Sequence, residues 1–293
     1  MPEMISAQVA SVLECDVGEG PFWDEIKQKL YFVDISNNEV KIFDPKTTNV
    51  ETITFPQEVS AAILNQDSEL IVTARDGIFA TSSDGKFTEM LAPIEAQNPS
   101  IRTNDAKCDS SGRMWIGTMA FDFKAGAAAL YSFESGILKK EISELTISNG
   151  MGWSLDQSKM YFIDSPTNRV DVFDYNIQTG EQTNRRPFIT FEVPGPSPDG
   201  LTTDEDGGIW VAFFGGGEVR RFDASGDLTH IVSLPVKQVT SCCFGGADMD
   251  ILYITTARYA MTQEALLNEP LAGSLFKVKT NFTGSKSNRY GGR

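Results

Sequence analysis

One histidine and four cysteines are the whole supply of imidazole and thiolate metal ligands in 293 residues. His230 lies in Leu228-Thr229-His230-Ile231-Val232, an alternating, strand-like stretch, and reads as structural. A single imidazole excludes a Ser-His-Asp triad, a three-His zinc site and a His-Glu-x-x-His helix. The cysteines Cys15, Cys108, Cys242 and Cys243 contain no C-x-x-C pair. They read as small buried thiols of a reducing cytosol, and a cysteine-rich zinc site is not expected. Catalysis, if any, must draw on carboxylates, amides, Arg, Lys or a metal held by oxygens.

Positive charge is also scarce. Lys and Arg number 25 against 40 Asp and Glu, a formal net charge of −15. Nucleic acid or an anionic membrane would need a basic face, so neither is an expected partner. A cation or a neutral polar ligand suits this balance. No apolar run approaches the roughly 18 residues that span a bilayer. Met1-Pro2-Glu3-Met4-Ile5 lacks a basic segment and a long apolar one, so no secretory signal is expected and the chain reads as cytoplasmic. Helical signal is nearly missing. The exception is residues 262–267, with Thr262 placed to cap a short helix and Pro270 to stop it.

What the chain does have is a repeat. Six runs of β-branched, aromatic and aliphatic residues follow turns rich in Asp, Gly, Ser or Lys. They are Leu30-Tyr31-Phe32-Val33, Leu70-Ile71-Val72, Met114-Trp115-Ile116, Met160-Tyr161-Phe162-Ile163, Ile209-Trp210-Val211 and Leu252-Tyr253-Ile254. Their spacing of about 40–50 residues is that of a four-stranded propeller blade. Val40-Lys41-Ile42-Phe43-Asp44, Val170-Asp171-Val172-Phe173-Asp174 and Val219-Arg220-Arg221-Phe222-Asp223 then alternate as half-buried strands do. The expected fold is all-β, a six-bladed β-propeller with four antiparallel strands per blade. One domain over residues 1–293 is expected, with blades at roughly 16–57, 58–95, 100–147, 148–193, 197–236 and 238–280. Closure protects edge strands, and residues 8–13, within a 7–14 segment, are placed to close the last blade beside residues 274–278. Residues 121–129 read as a loop over one face. The polar, Gly-rich stretch 281–293 reads as a loosely held extension.

The innermost strand of each blade should lie about ten residues upstream of its apolar run. That places Glu19, Ser60, Asn104-Asp105, Asn149, Asp199 and Thr240-Ser241 on the central channel. In isolation Pro198-Asp199-Gly200 is an ordinary turn; the repeat moves it to an inner strand, where Gly200 would leave room for substrate. A channel lined by water accounts for six polar places by itself. Glu19, Asn149 and Asp199, however, offer hard oxygens and two negative charges, a combination that neutralises a divalent cation. Carboxylates crowded without one would repel, and one would protonate. An oxygen-only set favours Ca²⁺, Mg²⁺ or Mn²⁺ over Zn²⁺.

An ordered set of motifs resembles the regucalcin/gluconolactonase (senescence marker protein) family over nearly the whole chain. It comprises Gly18-Glu19-Gly20-Pro21-Phe22-Trp23, Arg102-Thr103-Asn104-Asp105-Ala106-Lys107-Cys108-Asp109, Gly112-Arg113-Met114-Trp115-Ile116-Gly117-Thr118-Met119, Ile147-Ser148-Asn149-Gly150, Pro198-Asp199-Gly200, residues 240–246 and Thr255-Thr256-Ala257-Arg258. The resemblance implies that Glu19, Asn149 and Asp199 ligate one divalent metal ion, Ca²⁺ first, with Zn²⁺, Mn²⁺, Mg²⁺ or Fe²⁺ as alternatives. It implies that Arg102 and Asn104 contact the substrate, and that Asp122 does so where regucalcin has a Glu. It implies a metal-dependent hydrolase of a sugar lactone, a small-molecule substrate, in which Asp199 is also the general base. A promiscuous esterase or organophosphate hydrolase and a calcium-binding regulatory protein are the alternatives.

Overall fold

The computed structural model describes residues 1–292. Six sheets form a six-bladed β-propeller with four antiparallel strands per blade, and the described residues hold one short α-helix and a 3₁₀ turn at Ser165–Thr167. The inner strands are Gly18–Asp24, Val59–Leu64, Ile101–Cys108, Ser148–Trp153, Ser197–Thr203 and Val239–Gly245. The second strands, from Lys29–Asp34 to Ile251–Thr256, carry the six apolar runs. Their large side chains, Phe32, Trp115, Phe162 and Trp210 among them, are fully buried between neighbouring blades.

A recurrent turn joins inner to second strand. In blades one, two, three and five its first residue is Asp or Asn, whose Oδ1 atom accepts backbone N–H groups two to four residues on. Asn65 accepts from Asp67 and Glu69, Asp109 from Ser111 and Arg113, and Asp204 from Asp206 and Gly208. The second oxygen is used below the turn. Asp109 binds Arg113 at 2.9 Å and the Trp115 indole at 3.4 Å; Asp204 binds Arg221 at 2.7 Å and the Trp210 indole at 2.8 Å.

Ring closure follows the expectation. Gln8–Ser11 pairs antiparallel with Leu275–Lys279 and completes the sixth blade. The chain adds a contact that its composition did not suggest: Glu3–Ser6 runs parallel to Leu228–Ser233 as a fifth strand of blade five. His230 lies there against Phe282, with Nε2 3.3 Å from Glu3. Gln263–Asn268 is the one α-helix among the described residues, and the Thr262 hydroxyl accepts from the Ala265 N–H at 3.2 Å.

The C-terminal stretch is not a loose extension. Ser285 N–H donates to Thr203 O, the Ser287 hydroxyl accepts from Trp23 N–H, Asn288 donates to Cys108 O, and Tyr290 N–H donates to Leu64 O. The segment thus straps the far ends of inner strands from four blades. Tyr290 stacks on Phe133 and is 3% exposed. Its polarity has a physical reason, since it satisfies backbone groups at strand ends that face the channel. Arg289 supplies Asp24 with the cationic partner that Arg113 and Arg221 give Asp109 and Asp204, at 2.7 Å. Arg289→Ala leaves the fully buried Asp24 carboxylate unpaired. A loss of about 3 kcal/mol is expected, roughly 5–10 °C in a thermal melt; an unchanged melt would show that the strap carries no stability.

Candidate active site

Every inner strand breaks register with its neighbour at the same height. The breaks fall at Glu19/Phe22, Val59/Ala61, Thr103/Ala106, Ser148/Met151, Pro198/Leu201 and Val239/Ser241. A bulge leaves one residue out of the ladder and re-aims a side chain. Glu19, Ser60, Asn104, Asn149, Asp199 and Thr240 stand at these six bulges. Glu19, Asn104, Asn149 and Asp199 are between 6% and 8% exposed, low for polar side chains.

Close approach of the inner strands explains two glycines. A Cβ on Gly150 would sit 2.6 Å from Asp199 O, and one on Gly200 would sit 2.1 Å from the Ser241 hydroxyl. Gly200 therefore makes room for the next blade, which corrects the expectation that it makes room for substrate.

The second strands fix where two of the channel residues enter. The Asp34 carboxylate accepts from the N–H groups of Asp16 and Val17 at 3.2 and 3.1 Å, just before Glu19. Asp164 accepts from Thr146 and Ile147, the latter at 2.8 Å, just before Asn149. A relay of amides then sets orientation. Arg102 donates to Asn104 Oδ1 at 2.8 Å, Asn104 Nδ2 donates to Asn149 Oδ1 at 2.8 Å and to Ser148 O, and Asn149 Nδ2 donates to the Ser165 hydroxyl at 2.8 Å. With its nitrogen bonded to Ser165 and one lone pair of Oδ1 accepting from Asn104, Asn149 keeps a second lone pair of Oδ1. Asn104 is engaged at both ends of its amide, with only a lone pair of Oδ1 left over.

The carboxyls are strained electrostatically. Burial pushes Glu19 up to about 8, with the Asp105 charge adding to it and the Gly20 N–H, at 2.7 Å, opposing it. Asp199 is raised well above the carboxylate range by burial first, then by the charges of Glu19 and Asp105, and by a hydrogen bond that its protonated form donates to Glu19. Asp105 is raised by burial as well, and its Oδ2 is buried without a partner. Burial lowers Arg102 to about 10, against the pull of Glu19, Glu58, Tyr259 and Asp199, so it stays charged at neutral pH.

A cavity of about 370 Å³ opens over this group. It brings together Glu19, Asn149, Asp199, Arg102 and Asn104. Asp122 is not with them. It is exposed on the 121–127 loop, where its Oδ1 accepts from the Lys124 N–H at 3.1 Å. The turn takes the carboxylate, and its neighbours Phe121 and Phe123 line the cavity instead.

A family model described as SMP-30/Gluconolactonase/LRE-like region matches residues 17–258. The chain belongs to the SMP-30/gluconolactonase family. It is 38% identical over 275 residues to a Bacillus subtilis (strain 168) protein named for sugar lactone lactonase YvrE, with 92% of this chain and 94% of that protein covered. It is 38% identical over 284 residues to Homo sapiens regucalcin, with 94% and 95% covered. Among solved structures, Agrobacterium tumefaciens regucalcin, described as a calcium-binding protein, superposes with a TM-score of 0.95 at 27% identity over 99% of both chains.

In this SMP-30/gluconolactonase chain the matched span holds all six bulges. Glu58 also lines the cavity, and the motifs did not single it out. The repeat carried the signal. Glu58 stands two residues before Ser60, as Val17, Arg102, Ile147 and Ser197 stand two before Glu19, Asn104, Asn149 and Asp199. These five form a second ring around the cavity. Asp105 and Lys107 belong to the other side, where they line a separate cavity of about 70 Å³ together with Ser285 and Ser287 of the strap.

Proposed function

We propose that this chain opens a lactone ring to its hydroxy acid, with one divalent cation held by Glu19, Asn149 and Asp199. The observation that carries the reading is the convergence, at three bulges, of two carboxyls and an amide oxygen whose nitrogen is already occupied. That donor set fits a hard cation. The two raised carboxyls give the same indication: burial and the Asp105 charge raise Glu19, burial and the charges of Glu19 and Asp105 raise Asp199, and a cation would compensate both. Ca²⁺ is the first choice, and Mn²⁺, Mg²⁺, Zn²⁺ or Fe²⁺ suit the same oxygens. When bound, the cation supplies Lewis-acid polarisation of a carbonyl and offsets the charge that builds on its oxygen.

The chain's own groups do the rest. Asp199, ionised, accepts the proton of the attacking water and returns it to the leaving ring oxygen. Arg102 keeps donors beyond those engaged with Thr103 O and Asn104, and they meet the substrate's oxygens. Asn104 holds Asn149 and Arg102 in register. The strap crosses the far ends of the inner strands, and substrate entry is assigned to the side that carries the larger cavity. Sugar lactones are the class suggested by the name of the Bacillus subtilis relative and by the resemblance of the motifs. Four free buried thiols suit a reducing cytosol, the proposed compartment.

The test is a substrate panel with cation-loaded protein. Aldonolactones are expected to exceed p-nitrophenyl acetate and a phosphotriester in kcat/KM by at least about a hundredfold, because orientation by Arg102 and the polar lining is specific to a hydroxylated ring. Equal or inverted rates would favour a general esterase or organophosphate hydrolase.

A further inference from the structure

The cavity lining is of two kinds. Glu19, Asn149, Asp199, Arg102 and Glu58 are polar. Met119, Phe121, Phe123, Ile147 and Phe214 are apolar. Phe121 and Phe123 are 44% and 46% exposed, one on each side of Asp122. Two large aromatic side chains left open at one mouth mark a binding surface more than a solvated loop.

The loop is fixed so as to present them. Phe121 N–H donates to Ser100 O, Phe123 N–H to Ala120 O, and the Lys124 N–H to Asp122 Oδ1. Phe123 is held at φ +56°, a left-handed conformation that disfavours a bulky side chain. The carboxylate between the two rings, Asp122, is exposed and taken up by the turn. A ring substituent lying on Phe121 and Phe123 meets aromatic carbon: an alkyl or aryl group there is removed from water, whereas a hydroxyl gains no partner from the rings.

Resting on the lactonase reading, we propose that the substrate is a hydroxylated lactone bearing an apolar arm, with the ring on the polar lining and the arm against Phe121 and Phe123. The arm lies away from the reacting carbonyl. Its contacts are made in ground and transition states alike, so they lower KM and leave kcat nearly unchanged.

A matched pair tests this: D-ribono-1,4-lactone and its 5-O-benzyl ether, with the corresponding unreactive lactams as binding probes. With cation-loaded protein the benzyl ether is expected to show a kcat/KM about tenfold to a hundredfold higher, through KM, and the benzylated lactam to bind tighter by a similar factor in calorimetry. In Phe121→Ala/Phe123→Ala both ratios fall toward one. These are exposed loop side chains, and a thermal melt checks that the fold is kept. Equal affinities for the two lactams, or ratios unmoved by the double substitution, overturn the inference whether or not the lactones are opened. Tighter binding of the benzylated lactam without turnover of either lactone supports the arm site and overturns the lactonase reading alone.

Discussion

Asp199→Asn is expected to lower lactone opening by about 10³-fold or more while the propeller stays folded. The substitution removes a proton acceptor, worth about 10²–10⁴-fold by itself, and also one of two anionic donors to the proposed cation. Stability should move the other way. Asp199 is buried beside Glu19 and is burdened by the charges of Glu19 and Asp105. A neutral amide of the same size relieves that repulsion. In cation-free buffer at pH 8 the variant should therefore melt at or above the parent temperature. Steady-state kinetics with an aldonolactone and a melt of the same preparation check both halves. Unimpaired turnover would remove Asp199 from the mechanism, and loss of turnover with loss of fold would make it structural.

The second large effect is the response of stability to pH and cation. Glu19 stands at about 8 in the folded chain against an ordinary 4.5, because burial and Asp105 disfavour its charge. The native state thus keeps a proton that the unfolded chain releases near pH 4.5. The stability contributed is complete below about pH 4.5 and is lost as pH rises toward 8. In chelator the melting temperature should fall by roughly 5–10 °C between pH 5 and pH 8, and Glu19→Gln should flatten most of that fall. A divalent cation competes with the protons. Its addition should raise the melting temperature more at pH 8 than at pH 5. A cation shift of the same size at both pH values would mean that the ion binds somewhere other than these carboxyls.

Most of the fold was legible because its signals are local and repeated. The six apolar runs, the Asp or Asn that opens a turn, and Thr262 before its helix each act within a few residues. The site was legible only through the repeat, which aligned Glu19, Asn149 and Asp199 without any of their contacts. What escaped depends on contacts distant in sequence. Arg289 meets Asp24 from 265 residues away, so composition alone made the strap look loose. Glu3–Ser6 pairs with a strand more than 200 residues away in blade five, a contact that no local pattern announces. Asp122 aligned with a substrate contact by motif, yet one hydrogen bond to Lys124 turns it outward. Glu58 was visible in principle as the blade-two counterpart of Arg102, once positions two before each bulge are compared.

The central claim is that Glu19, Asn149 and Asp199 together hold one catalytic cation. Calorimetric titration of chelator-stripped protein with Mn²⁺, with lactone turnover followed in the same samples, tests it most directly. The account predicts one equivalent bound at pH 8 with turnover rising in step with occupancy, and binding weakened by about tenfold or more in Glu19→Gln, Asn149→Ala and Asp199→Asn alike. Full turnover by the stripped protein, or tight binding unaltered in all three variants, would contradict it.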